Sequence, residues 1–115
     1  MTMLITVEQR VQLLANGQAR ANGQELDPAP VVRLFTPDAH ATWLLTELDP
    51  EDCDTAFGLR DLGLGEPELA FVRLSELASV LGPLNQPIAR DLYFIARRRL
   101  SEYLQLARAN GSITD

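Results

Sequence analysis

The chain has no lysine, one cysteine, one histidine and one tryptophan. Without lysine there is no Schiff-base or lysine general-base chemistry, and no phosphate loop of the Gly-x-x-x-x-Gly-Lys kind. The single thiol, Cys53, excludes an intramolecular disulfide framework and a cysteine zinc site, and it suits a reducing cytoplasm. No apolar run approaches the length of a membrane span, and the opening MTMLITVEQR lacks the basic start and long apolar stretch of a signal peptide. The expectation is a cytoplasmic protein with no cofactor.

What is present is ordinary for a folded domain. The 115 residues are 46% hydrophobic and 23% charged, enough for a single domain over residues 1–115 with a modest core. Ten basic against sixteen acidic residues leave a net charge of −6. Such a surface disfavours a phosphate backbone, so neither nucleic acid nor membrane is an expected direct partner.

Half of the acid is gathered in one stretch. TELDPEDCDTAFGLRDLGLGEPE, from Thr46 to Glu68, carries eight of the sixteen carboxylates against one arginine, Arg60. Three readings compete for it: a cation site, a surface that imitates nucleic acid, or solvated turns in a small sheet.

Hydrophobic period and turn chemistry place these residues on elements. Thr6-Val7-Glu8-Gln9 has the form of a capping box, and Val7, Val11, Leu14 and Ala15 then share one helical face. Asn16-Gly17 reads as the stop of that helix. The tetrapeptide Ala-Asn-Gly-Gln occurs at Ala15 and again at Ala21, which we read as reused helix-end chemistry and not as a repeat fold. Strands are expected at Val31–Phe35, Ala41–Leu48, Thr55–Asp61 and Leu69–Arg73, joined by turns too short for parallel crossovers. Ser75-Glu76-Leu77 opens a short helix ended by Gly82-Pro83, Ile88–Phe94 returns as a fifth strand, and Leu100, Tyr103, Leu104 and Ala107 stripe a last helix. The fold class is α+β: an antiparallel meander of four to five strands with N- and C-terminal helices packed on it, covering one face. Trp43, Leu45, Phe57, Leu59, Leu69 and Phe71 are the expected sheet core.

Chemistry is sparse. His40 lacks a nucleophile motif beside it, and Cys53 between Asp52 and Asp54 reads as a loop thiol without an activating basic neighbour in the sequence. The glycines do not form a dinucleotide fingerprint. From Asp49 the EF-hand spacing fails, because its glycine and glutamate places hold Asp54 and Arg60. A looser magnesium or calcium site remains from Glu47, Asp49 and Asp61 if adjacent strands bring them together. Arg97-Arg98-Arg99 opposes the dipole of the helix that follows, which asks for an outside partner or an internal acid.

The stretch VVRLFTPDAHATWLLTELDPED, then AFGLRDLGLGEPELAFVRLSEL, GPL and PIARDLYF, resembles an uncharacterised bacterial family of small proteins, a domain of unknown function. The likeness runs from Thr6 to Phe94 and rests on LFTPDA, TWLLTELDPED, FGL, DLGLG and PEL. It implies a home on plasmids, conjugative elements and similar mobile DNA, and it lends no activity or active site. The chain departs from the family pattern at Arg60, Glu66, Ala70 and the triple arginine.

The favoured function is that of a non-enzymatic accessory protein acting through protein contact, with opposition to a host defence system as one route. Glu51, Asp52, Asp54 and Glu66 would form an acidic rim for a basic, nucleic-acid-binding protein, and Arg97, Arg98 and Arg99 a second contact. The alternative is a metal-dependent phosphoester hydrolase using Glu47, Asp49 and Asp61.

Overall fold

The computed structural model describes residues 4–114. Helix α1 (Val7–Ala21) leads into strands β1 (Val32–Phe35), β2 (Thr42–Leu48), β3 (Thr55–Asp61) and β4 (Glu68–Arg73). Helix α2 (Leu74–Ser79), a two-residue strand β5 (Ala89–Arg90) and helix α3 (Leu100–Asn110) follow. All strand pairs are antiparallel, in the order β4-β3-β2-β1-β5. The α+β meander expected from the sequence is the fold. The fifth strand, expected over Ile88–Phe94, is limited to the two residues facing Leu34 and Phe35.

One irregularity organises the sheet. β1 pairs with β2 only as far as Leu45, and β2 then bulges so that Thr46 is skipped between the Leu45–Gly58 and Glu47–Phe57 pairs. A bulge turns a strand and exposes an unpaired stretch. On the side away from β3 the backbone of residues 46–48 therefore has no strand beside it, and α1 fills that place. Asn16 donates its side-chain amide to the Thr46 carbonyl at 2.8 Å. Gly17 passes so close that a Cβ there would lie 1.9 Å from the Leu48 carbonyl oxygen.

This contact overturns the expected helix stop. Asn16-Gly17 lies inside α1, which runs on to Ala21, and the second copy of the tetrapeptide ends it: Asn22 is the cap and Gly23 takes a φ of 89°. The same four residues thus serve as a docking notch at one site and a terminator at the other. The buried face also differs from the expected one. Val7 and Val11 are 63% and 62% exposed, whereas Leu13 and Gly17 are buried. The Thr6–Gln9 capping box is formed in both directions, at 3.0 and 2.8 Å.

The core is double, not one-faced. Trp43 and Leu45 pack with Leu13 of α1, Leu74 and Leu77 of α2, and Ile88. Leu44 and Leu59 pack with Leu100, Tyr103 and Ala107 of α3. Neighbours along a strand point to opposite faces, so the terminal helices lie on opposite sides of the sheet. Within the expected core, Trp43, Leu45 and Leu59 are buried, but Leu69 is 40% and Phe71 69% exposed. Both lie on β4, which is the sheet's edge and which α3 does not reach across.

Candidate functional site

The acidic stretch does not stay together in space. Successive turns of a meander lie at opposite ends of the sheet, so the turn 49–54 and the turn 62–67 are separated by the length of β3. β4 joins these two ends along the open edge.

Most carboxylates near the turns hold the backbone. In the turn 49–54, Asp49 accepts the Glu51 amide at 2.8 Å. Asp52 accepts the Asp54 and Thr55 amides and the Thr55 hydroxyl, at 2.9, 2.9 and 2.6 Å. The Thr55 hydroxyl and the two amides hold the Asp52 carboxyl down to about 2. Asp54 reaches across to α2, taking the Ser75 amide at 2.9 Å and its hydroxyl at 2.7 Å, with Arg73 at 3.2 Å. Those Ser75 bonds lower its pKa. Glu51 and Glu66 are exposed, and among the described residues no side-chain bond or ion pair engages either carboxylate. Of the four acids expected to meet a partner, then, Asp52 and Asp54 also carry structural duties while Glu51 and Glu66 are unencumbered.

Glu47 and Asp61 are the buried acids of the stretch, at 7% and 4% exposure. The Arg20 guanidinium of α1 donates to both Glu47 oxygens at 2.7 and 2.8 Å. Asp61 accepts the Gly63 amide at 2.8 Å and the Ile113 amide at 2.9 Å, tying the chain after α3 to the end of β3. Glu47 pairs with Phe57, and Asp61 lies four residues further along β3, a separation of roughly 13 Å at the rise of a strand. Glu47, Asp49 and Asp61 are therefore not brought together. Among the described residues no three His, Cys, Asp or Glu side chains are placed to hold a metal ion.

Arg97, Arg98 and Arg99 are exposed ahead of α3. The acid that their position asked for is internal and distant in sequence. Asp27 accepts the Ser101 amide at 3.0 Å and also its hydroxyl, while Glu102 takes the Arg99 amide at 3.0 Å. Negative charge at the first turn of α3 offsets the arginines there. The Ser101 hydroxyl lowers the Asp27 pKa.

Concave surface is modest. A hollow of about 460 Å³ lies between β1 and the segment before α3, where Arg33 holds Asp91 at 3.1 Å and stacks 5.1 Å from the Phe35 ring. A second, of about 430 Å³, adjoins it and reaches exposed His40. A smaller one of about 200 Å³ opens between α1, the end of β2 and β3, lined by Gly17, Arg20, Glu47 and Phe57, with Phe71 of β4 at its rim. The Phe57 and Phe71 rings lie 4.9 Å apart at its wall.

The sequence reading missed β4 as a surface. Its signal was the departure from a clean alternation: Glu68 to Arg73 has apolar side chains on both faces, yet strand order alone decides which face is covered.

These features define a small α+β protein with an open sheet and one uncovered aromatic edge; among the described residues no helix is long and apolar enough to cross a membrane. Residues 4–114 match the family model described as protein of unknown function (DUF2958), and the chain belongs to that family. No curated protein and no solved structure matches the chain.

Proposed function

We propose that this chain is a non-enzymatic accessory protein of mobile DNA that works by contacting another protein, one with a basic surface. A nucleic-acid-binding protein fits that description, and opposition to a host defence system belongs to the same reading. The observation that carries it is Phe71: an aromatic side chain 69% exposed on the sheet edge, between two turns rich in acid. Exposed aromatics with a charged rim are the composition of contact surfaces, where the ring supplies affinity and the charges supply encounter rate. Arg60 on β3 and Arg73 on β4 are each held by a carboxylate, Glu68 and Asp54, and Arg10 of α1 donates to the Cys53 carbonyl at 3.1 Å in the turn 49–54. Among the described residues Glu51, Asp52 and Glu66 form no ion pair, and a basic partner complements them.

The test is affinity capture from the native host at low and raised salt, with wild type, a Glu51→Gln/Glu66→Gln double variant, and Phe71→Ala. The expected result is a partner that salt weakens, that the double variant binds less, and that Phe71→Ala loses. Capture indifferent to all three changes would refute the acidic contact. Arg97, Arg98 and Arg99 would then be the surface to neutralise next.

A further inference from the structure

The two edges of the sheet differ in a way that names a mode of binding. One edge is the two-residue β5, which offers a partner almost nothing. The other is β4, six residues long, without proline and without a bulge in its pairing with β3. Long unprotected edges are what folded proteins normally avoid, by shortening, bulging or placing lysine on them.

The phase of the free backbone groups follows from one bond. The Leu74 amide donates to the Asp54 carbonyl at 2.9 Å, and these residues continue the register that pairs Thr55 with Arg73. That makes Asp54–Leu74 a hydrogen-bonded pair, and such pairs alternate along an antiparallel ladder. Ala56–Val72, Gly58–Ala70 and Arg60–Glu68 are then hydrogen-bonded as well. Leu69 and Phe71 turn their amides and carbonyls outward, and Arg73 its amide, its carbonyl being the first acceptor of α2. Their side chains share the face of Phe57, and the hollow of about 200 Å³ lies beside Phe71 on that face.

We propose that β4 accepts an extended segment of the basic partner as a sixth strand, the backbone bonding to Leu69, Phe71 and Arg73 and one apolar side chain entering the hollow beside Phe71. Strand addition of this kind takes affinity from main-chain bonds and specificity from alternate side-chain pockets. The inference rests on the contact reading above and deepens it. Charge selects the occupant. Both ends of β4 lie at acidic turns, with Glu66 and Glu68 at one and Glu51, Asp52 and Asp54 at the other. Arg60 already pairs with Glu68 and Arg73 with Asp54, so the surplus charge is Glu66 at one end and Glu51 and Asp52 at the other; a second copy would bring those acids together whichever way it ran, whereas a segment with arginine or lysine at its ends meets complementary charge at both.

The probe is a synthetic nine-residue peptide of alternating valine and threonine between arginine pairs, added to the isotope-labelled full chain. Controls are the same peptide N-methylated at every second residue, and one flanked by glutamate. Expected are saturable binding of the arginine peptide, slowed exchange at the Leu69, Phe71 and Arg73 amides, and loss of both with the N-methylated peptide. Phe71→Pro removes an outward amide that no described residue uses, so it should abolish binding while the fold persists; Glu51→Gln/Glu66→Gln should weaken binding roughly three- to tenfold at low salt. Binding that survives N-methylation, perturbs another surface, or fails altogether overturns strand addition. So does self-association through β4, seen as a dimer in sedimentation that Phe71→Pro dissolves. If strand addition fails while a basic protein is still captured in a Glu51- and Glu66-dependent way, only the mode is wrong; if neither probe binds, the contact reading falls with it.

Discussion

Replacing Gly17 by alanine asks two forces to act in opposite directions. In an isolated helix the change gains about 0.5–1 kcal/mol, because glycine loses more backbone freedom on folding. In this protein the new methyl would sit 1.9 Å from the Leu48 carbonyl oxygen, where ordinary contact begins at 3.4 Å. The obstacle is backbone in a paired strand, so α1 must retreat by about 1.5 Å, the difference between those two distances. Overpacking of that size costs about 1–3 kcal/mol or more. The retreat also stretches the Asn16–Thr46 and Arg20–Glu47 bonds, at 2.8 and 2.7 Å, each contributing about 1 kcal/mol or more. The net expectation is a loss of about 2–4 kcal/mol, or a fall in melting temperature of about 8–16 °C for a domain of this size. Urea and thermal unfolding of Gly17→Ala measure it. Gly23→Ala, in the second copy of the tetrapeptide, is the control: nothing lies within 4 Å of its added Cβ, and only its φ of 89° costs, about 1–2 kcal/mol. A Gly17→Ala variant as stable as wild type would refute the docking of α1 on the open end of β2.

Asp61→Ala should destabilise by about 2–4 kcal/mol, since it strands the Gly63 and Ile113 amides, and should free residues 111–114 to proteolysis; Asp61→Asn, keeping one acceptor, should lose about half as much. Acid should weaken the fold in a defined direction. Asp27, Asp52 and Asp54 all have folded-state pKa values below the ordinary one, so their stabilisation is complete above the ordinary carboxylate range and disappears as pH falls through the folded values, about 2 for Asp52. Melting temperature against pH should be flat near neutrality and fall below roughly pH 5, and Asp52→Asn should flatten that fall.

How much was legible depended on the distance over which a residue's fate was decided. β3 was found with its boundaries because Thr55 to Asp61 alternates within itself, and the α1 capping box because its partners are three residues apart. The two Ala-Asn-Gly-Gln copies could not be told apart, since what separates them is a carbonyl on β2. Val7 and Val11 have helical spacing yet face solvent, because α1 is oriented by the notch at Gly17 and not by its most apolar stripe. The acids followed the same rule: Glu47 answers to Arg20 at 27 residues' distance and Asp61 to Ile113 at 52. Strand and turn patterns put Glu47 and Asp61 on strands and Glu51 and Glu66 outside them, but nothing local named Arg20 or Ile113 as the partners. Phe71 looked like core because an aromatic in a strand usually is; only the order β4-β3-β2-β1-β5 leaves it at an edge.

The most direct test of the account is amide hydrogen exchange along β4 in the free protein, read residue by residue by nuclear magnetic resonance. An open edge predicts alternation: the Ala70 and Val72 amides, bonded to β3, exchange slowly, and the Leu69, Phe71 and Arg73 amides exchange fast. Uniform protection along the strand, or the opposite phase, would mean that the edge is already covered or turned away, and no surface would remain there for a partner.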